Sequence, residues 1–244
     1  HWPFMGKKDL VEKYKQKFQP GLRHHHPVYA AMIESVDQSV GRILDQVAQL
    51  GIADRTVIIF SSDNGGVVPL TNNRPVRAGK GSSYEGGVRV PMIVKAPGVT
   101  PPGTLCSEPV ITVDFYPTIL DIAGVRGDSN HNAQLDGRSI VPLLKNPETT
   151  LDRKAIYWHY PHYNHSGGAT PYGAIRSGTW KLIEFYEDMR VELYNLKQDI
   201  GETEDLAEKL PQRAEQLRNA LHTWRSEVGA QMPTPNPQYN RQLQ

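Results

Sequence analysis

The sequence predicts an α/β fold: a mixed sheet flanked by helices, then a small C-terminal antiparallel sheet packed on a helix. Three observations carry this. Residues 28–50 repeat apolar side chains at helical spacing. Residues 56–60 form an unbroken apolar run that ends in polar residues. After residue 150, short aromatic-rich segments alternate with turn residues. A helix, a buried strand and polar residues at the strand's carboxyl end are the plan of a ligand-binding edge in an open α/β sheet.

In chain order, residues 6–18 read as a short amphipathic helix, with Leu10, Val11, Tyr14 and Phe18 on one side and Asp9 and Lys13 able to pair on the other. Pro20-Gly21 ends it, and residues 22–27, with His24, His25 and His26, form a loop that either is solvated or lines a pocket rim. The helix over 28–50 has the stripe Met32, Ile33, Val36, Val40, Ile43, Leu44 and Val47 facing a core, and Gly51 stops it. Thr56-Val57-Ile58-Ile59-Phe60 is a strand of a parallel sheet covered on both faces, followed by Ser61-Ser62-Asp63-Asn64-Gly65-Gly66. Residues 72–90 are rich in Gly, Ser, Arg and Lys and read as a long functional loop. Pro91-Met92-Ile93-Val94-Lys95 is a second central strand. Residues 113–123 are helical, with Thr112 as cap and Pro117 as a distortion or an early turn, and residues 135–144 make a turn and a brief helix. Strands over 156–160, 172–176, 180–185 and 191–195 follow, then a helix over 212–228 with Leu217, Ala220, Leu221 and Trp224 on one side. This small sheet is expected to have one covered face, its aromatic residues forming core. The regions are therefore 1–150, 151–231 and a flexible Pro-, Asn- and Gln-rich tail over 232–244.

Lys and Arg total 27 against 26 Asp and Glu, a net charge of +1 that exerts no long-range pull on nucleic acid or an anionic membrane. The single cysteine, Cys106, allows neither an internal disulfide nor a thiolate metal cluster. No apolar stretch is long enough to cross a bilayer. The chain opens His1-Trp2-Pro3-Phe4 without Met or a signal region, so the natural N-terminus is expected upstream.

Asp63 and Asn64 can offer a carboxylate and an amide oxygen to Ca²⁺ or Mg²⁺, although Ca²⁺ takes about 6–8 oxygen ligands. The same Asp-Asn-Gly is also ordinary turn or cap chemistry. In Gly79-Lys80-Gly81-Ser82-Ser83-Tyr84-Glu85-Gly86-Gly87-Val88-Arg89-Val90-Pro91, glycines let backbone approach a ligand, and Lys80 is a mobile point charge suited to a tetrahedral oxyanion. Lys80 is followed by Gly81 and not by Ser or Thr, which argues against a nucleotide-phosphate loop. Glu85 and Arg89, four apart, can alternatively pair to brace the loop. His159, His162 and His165 recur every three residues, but Pro161 and Gly167-Gly168 argue against a helix that would align them. Zinc binding, hydrogen-bonding roles and substrate recognition all remain open for them.

The order and spacing of these motifs resemble the second half of a type I, formylglycine-dependent sulfatase of the alkaline-phosphatase-like superfamily. The likeness rests on Ser62-Asp63-Asn64-Gly65, Gly79-Lys80-Gly81 and Glu85-Gly86-Gly87-Val88-Arg89-Val90-Pro91. It continues through residues 109–124, Asp136-Gly137-Arg138-Ser139, Trp180-Lys181-Leu182 and Glu192-Leu193-Tyr194-Asn195-Leu196, and His1-Trp2-Pro3 resembles the family's His-x-Pro element. The resemblance implies that Asp63 and Asn64 hold Ca²⁺ (Mg²⁺ being the alternative), that Lys80 contacts sulfate, and that His1 lies against the sulfate near the leaving alcohol. It assigns 1–150 to the C-terminal part of the catalytic α/β domain and 151–231 to a small α+β subdomain. The substrate would be a sulfated small molecule or glycan, tentatively contacted by His159 and His162, and the compartment periplasmic or extracellular. No segment fits the family's Cys/Ser-x-Pro/Ala-x-Arg nucleophile motif, and Cys106 lies in Leu105-Cys106-Ser107-Glu108-Pro109. The early Asp-Asp metal pair and the Lys-x-x-x-His element are also absent. The expectation is thus a C-terminal half with a partial alkaline-phosphatase-like sheet, inactive alone, whose partner is the N-terminal remainder carrying the formylglycine. Phosphate- or phosphonate-ester hydrolysis, and an inactive accessory or binding fragment, are the alternatives.

Overall fold

The computed structural model describes residues 3–68, 70–163, 169–234 and 236–237. The chain divides into two compact units, one of residues 1–35, 62–90 and 154–244 and the other of 36–61 and 91–153.

The first unit is built on a four-stranded antiparallel sheet of β3 (Ile156–Tyr160), β4 (Tyr172–Ser177), β5 (Trp180–Phe185) and β6 (Val191–Asn195), neighbours in that order. Ser177 pairs with Trp180, so Gly178 and Thr179 alone make the turn, and Gly178 supplies the positive φ of +58° that a two-residue hairpin needs. Strand alternation sorts the side chains into two cores. Ile175, Leu182 and Leu193 pack against Ala214, Leu217 and Leu221 of helix α7 (Pro211–Glu227). Tyr172, Ala174, Ile183, Phe185 and Tyr194 form the other core with Leu196, and Tyr84, Trp158, Tyr160 and Ile200 close over it. Both faces are covered, which corrects the expectation of a single covered face. The second cover comes from the loop around Tyr84, remote in sequence and without periodicity.

Helix α1 (Lys8–Gln16) buries Leu10, and Lys13 pairs with Glu34 at 2.7 Å rather than with Asp9. Glu34 lies on helix α2 (Pro27–Gln49), which runs from the first unit into the second. The stripe expected to face a core does not: Ile33 is 55% exposed and Ile43 62%, with Val36 and Leu44 also exposed. Helical spacing marks a face that can be covered, and among the described residues this one is left open.

In the second unit, β1 (Ile58–Ser61) pairs antiparallel with β2 (Met92–Lys95), Ile58 opposite Lys95 and Ser61 opposite Met92. Among the described residues every paired strand is antiparallel. The expected mixed sheet with a doubly covered parallel strand is therefore corrected to two antiparallel sheets, and Phe60 and Ile93 are exposed. A short apolar run specifies a strand but not the direction of its neighbour.

Helix α4 (Phe115–Ala123) is entered by a tight turn over Thr112–Asp114 and ended by Gly124 at φ +66°. Pro117 sits in its first turn, where a missing N–H costs nothing, so it distorts nothing. Asp114 is fully buried: its carboxylate accepts from the backbone N–H groups of Ile111 and Arg138, both at 2.8 Å, and from the Arg153 guanidinium. Thr118 Oγ1 accepts from Ile140 N at 3.0 Å. A Cβ on Gly137 would lie 2.1 Å from Val113 O. The motif Asp136-Gly137-Arg138-Ser139 thus fastens α4 to the short helix α6 (Val141–Lys145). A one-turn helix, α5 (Ser129–Asn132), capped by the Asp128 side chain, lies between them and was not foreseen.

Candidate active site

Directly after β1 the chain leaves its strand at Ser62, and Asp63 and Asn64 form a bend. Asp63 is exposed, and among the described residues its carboxylate has no hydrogen-bond or ion-pair partner. Asn64 is half-buried and donates Nδ2 to the carbonyl of Gly65 at 3.1 Å, which leaves its Oδ1 as an acceptor. Ser62 Oγ donates to Asn64 O at 2.9 Å and tightens the bend. One anionic and one neutral hard oxygen are thus presented side by side, a donor set suited to Ca²⁺ or Mg²⁺. Those two fall short of the ligands a calcium ion takes, and among the described residues no group of three His, Cys, Asp or Glu side chains could hold a metal.

Lys80 is brought to this bend by main chain. Its N–H donates to Gly66 O at 3.0 Å, and the Asn73 side-chain amide clamps the same carbonyl at 3.0 Å and Ala78 O at 2.9 Å. Gly65 N donates in turn to Gly87 O at 3.0 Å. Lys80 is half-buried, and its ammonium has no partner among the described residues.

The glycines are what permit this approach. A Cβ on Gly65 would sit 1.7 Å from Gly86 O, one on Gly79 2.3 Å from Gly66 O, and one on Gly86 2.3 Å from both Arg77 O and Ala78 O. Three backbone segments pack against one another with no room for a methyl group. Glycine here serves backbone-on-backbone contact, where the sequence had suggested approach to a ligand.

The last segment of this assembly, helix α3 (Glu85–Val88), is anchored to the sheet of the same unit by a buried ionic cluster. Lys181 of β5, fully buried, lies 2.9 Å from Glu85 Oε1 and 3.0 Å from Glu202 Oε1. Glu202 Oε2 accepts from Glu85 N at 2.6 Å. Arg89, expected to brace the loop through Glu85, is exposed and stands at 3.7 Å, as does Arg176. Burial pushes the Glu202 carboxyl above its ordinary pKa, against the charge of Lys181. Sequence reasoning missed the pairing of Lys181 with Glu202, although one signal was present. Lys181 shares a strand face with Ile183 and Phe185, and a lysine on an apolar face needs a buried partner.

A second network lies over Tyr84. Tyr84 and Tyr194 both donate to Glu192 Oε2, at 2.7 and 2.8 Å, and the Arg77 guanidinium stacks 3.8 Å from the Tyr84 ring. Burial alone would raise the Glu192 pKa, but hydrogen bonds from Arg190, Tyr84 and Tyr194 outweigh it and hold the carboxyl below its ordinary range. Burial drives both tyrosines above theirs, so neither is an acid or base near neutral pH.

His1 and His165 lie outside the described residues. His159 has both ring nitrogens engaged, Nδ1 with Tyr186 Oη at 2.7 Å and Nε2 with Gln231 O at 2.9 Å. Because the carbonyl only accepts, Nε2 carries a proton, and in the neutral ring Nδ1 accepts from Tyr186. His162 is exposed, its ring edge-on to Tyr160 at 5.5 Å. His26 Nδ1 accepts from Tyr29 N at the start of α2, and His24 meets Thr71 at 3.2 Å.

The sulfatase family model matches residues 1–125, and a model described as N-sulphoglucosamine sulphohydrolase, C-terminal, matches 79–228. The chain belongs to the sulfatase family. The chain is 39% identical over 243 residues to a sulfatase of Formosa agariphila, covering 92% of this chain and 44% of that protein. It is 33% identical over 193 residues to an N-acetylglucosamine-6-O-sulfatase of Bacteroides thetaiotaomicron, covering 78% and 32%. The crystal structure of Ps i-CgsB in complex with k-i-k-neocarrahexaose superposes with a TM-score of 0.76 at 30% identity, over 92% of this chain and 47% of that one. BT4656 in complex with its substrate D-glucosamine-2-N,6-O-disulfate does so at 0.71 and 29%, over 95% and 44%.

These matches correct two expectations. The sulfatase likeness is not confined to the family's C-terminal half, because the general model accounts for the chain from residue 1 and the two models together reach residue 228. Nor is part of the chain left without a counterpart in the family's fold, since sulfatase structures superpose over 92% and 95% of the chain. The chain spans under half the length of the curated relatives it matches.

Proposed function

We propose that this sulfatase-family chain contributes the metal and anion side of a site that hydrolyses sulfate esters of a carbohydrate. The observation that carries the reading is the hydrogen bond from Lys80 N to Gly66 O, which ties the main chain of a lysine with no side-chain partner among the described residues to the loop presenting Asp63 and Asn64. Support for a carbohydrate comes from a relative named N-acetylglucosamine-6-O-sulfatase and from two structures in complex with k-i-k-neocarrahexaose and with D-glucosamine-2-N,6-O-disulfate.

In this reading Asp63 and Oδ1 of Asn64 are two of the oxygen ligands of Ca²⁺. A bound Ca²⁺ and a formylglycine would supply, respectively, charge neutralisation at the sulfate oxygens and a nucleophile for sulfur. Lys80 donates to a sulfate oxygen and gains strength as charge builds there while the S–O bond breaks. His1 would serve the leaving alcohol, and His162, exposed beside Tyr160, would contact the sugar. His159 would reach substrate only by giving up Tyr186 or Gln231. None of the 244 residues offers the Cys/Ser-x-Pro/Ala-x-Arg segment, so we assign the formylglycine, and the remaining metal ligands, to polypeptide beyond them. That polypeptide would also cover the open face of α2, and residues 1–244 purified alone are expected to turn over no sulfate ester. Among the described residues no helix is long and apolar enough to cross a membrane, and a periplasmic or extracellular site of action is part of the proposal.

The test is a panel of sulfated and phosphorylated glycans offered to the protein carrying these residues together with a formylglycine segment. Sulfate release is expected from a sulfated sugar, lost on chelation and restored by Ca²⁺. Lys80→Ala should lower turnover by about 10²–10³-fold, the usual cost of removing one donor from a developing oxyanion. Release of phosphate in place of sulfate, or wild-type turnover by Lys80→Ala, contradicts the proposal.

A further inference from the structure

The Lys80 loop has no regular structure of its own, and its position must be fixed from outside. Three main-chain bonds join it to the Asp63–Asn64 bend and to the segment after it. Lys80 N bonds Gly66 O, Gly65 N bonds Gly87 O, and Gly86 N bonds Arg77 O at 2.8 Å. Two of the three end on α3, a helix of four residues that cannot hold its own shape in water, and the third joins the two segments those bonds hold. What holds α3 is ionic. Its first N–H is taken by Glu202 Oε2, and its first side chain, Glu85, by Lys181 Nζ. Glu85, Lys181 and Glu202 are each 1% exposed or less.

Glu202 is itself held in an unfavourable geometry. Its φ is +52°, a region that non-glycine residues avoid, and its carbonyl accepts from Arg77 Nη1 at 2.9 Å. Ala78, two residues before Lys80, is likewise left-handed at φ +59°. Two strained residues and a buried charge triad converge on one short helix. The sheet's other core, against α7, is apolar and closes without them.

We infer that Lys181 and Glu202 are positioning residues: by locking the first turn of α3 to β5 they fix Lys80 against the Asp63–Asn64 bend. The inference rests on the proposed role of Lys80, but its content is mechanical and can be read without turnover. Glu184 provides the control. It is a fully buried carboxylate on the same strand, paired with Arg218, His222 and Arg225 of α7, and it has no link to the Lys80 loop.

The experiment is amide hydrogen exchange on the 244-residue chain as wild type, Lys181→Met and Glu184→Gln. Lys181→Met is expected to lower protection of the Gly65, Lys80 and Gly86 amides about tenfold or more while the β4–β5 ladder amides stay near wild type. Glu184→Gln is expected to do the reverse. If Lys181→Met leaves those three amides unchanged, or lowers them only in step with the ladder, the residue is structural and the inference falls. Should Lys181→Met not fold, Glu202→Gln, which keeps the side-chain shape, takes the same measurement with the same two outcomes. Selective loss, with no sulfate released by the protein that also carries a formylglycine segment, would keep the latch and remove the functional reading; sulfate release by that protein without selective loss would do the opposite.

Discussion

A methyl group at Gly65 has nowhere to go. Its nearest neighbour is a carbonyl oxygen 1.7 Å away, and relief would require moving α3 or the Asp63 bend. Gly65→Ala is therefore expected to cost more than about 3 kcal/mol, at the severe end of single substitutions, while Gly41→Ala, with nothing within 4 Å, should be neutral or stabilising. Thermal unfolding of the two variants decides between them, and equal midpoints would refute the packing account. Single residues also mark what the sequence could convey. Asp63, Asn64 and Lys80 stand out in the sequence as candidates because polar residues after a strand and a lysine among glycines carry their own chemistry. The clustering of Gly65, Gly79 and Gly86 was visible, but its cause was not, since a glycine's neighbours across the fold leave no local trace. Lys181 was half-legible: alternation along β5 put it on an apolar face, and nothing in the sequence named Glu202 as its partner.

The strands β3 to β6 and helix α7 were legible as elements almost to the residue, because turn residues punctuate them and each alternates at its own period. Their energetic joint was not. Glu184 on β5 binds two arginines and a histidine from α7, at 2.5 Å to Arg218, 2.8 Å to His222 and 2.8 Å to Arg225. Burial pushes its pKa up, yet hydrogen bonds from His222 and Arg218 and the charge of Arg225 prevail, and the carboxyl titrates below its ordinary 4.5. With the folded value depressed, its stabilisation is present above the unfolded pKa and is lost as pH falls through the folded one. Urea midpoints should drop steeply below about pH 4.5 in the wild type and less steeply in Glu184→Gln. Parallel pH profiles would show that Glu184 is not the titrating joint. On the apolar side of the same contact, Leu221 is fully buried, and Leu221→Ala should lose about 2–5 kcal/mol. The stripe of α2 shows the opposite limit, for periodicity revealed the apolar face of the helix and could not say whether described residues cover it.

For the whole molecule, the family was legible before any fold was, because a series of short motifs in fixed order is more specific than any one of them. The sheet architecture was the weaker reading, and strand direction failed for the reason that Ile58–Ser61 carries no record of its neighbour's polarity. What unites the motifs is an assembly of three loops whose main chains are hydrogen-bonded into one body, with Asp63, Asn64 and Lys80 on it. The most direct measurement is paramagnetic broadening of amide resonances as Mn²⁺, standing in for Ca²⁺, is titrated into the protein that carries these residues together with the formylglycine segment. The amides of Asp63, Asn64, Gly66 and Lys80 should broaden together, and Asp63→Ala should abolish the effect at all four. Broadening centred elsewhere, or loss at Asn64 that leaves Lys80 sharp, would contradict a shared metal and anion site.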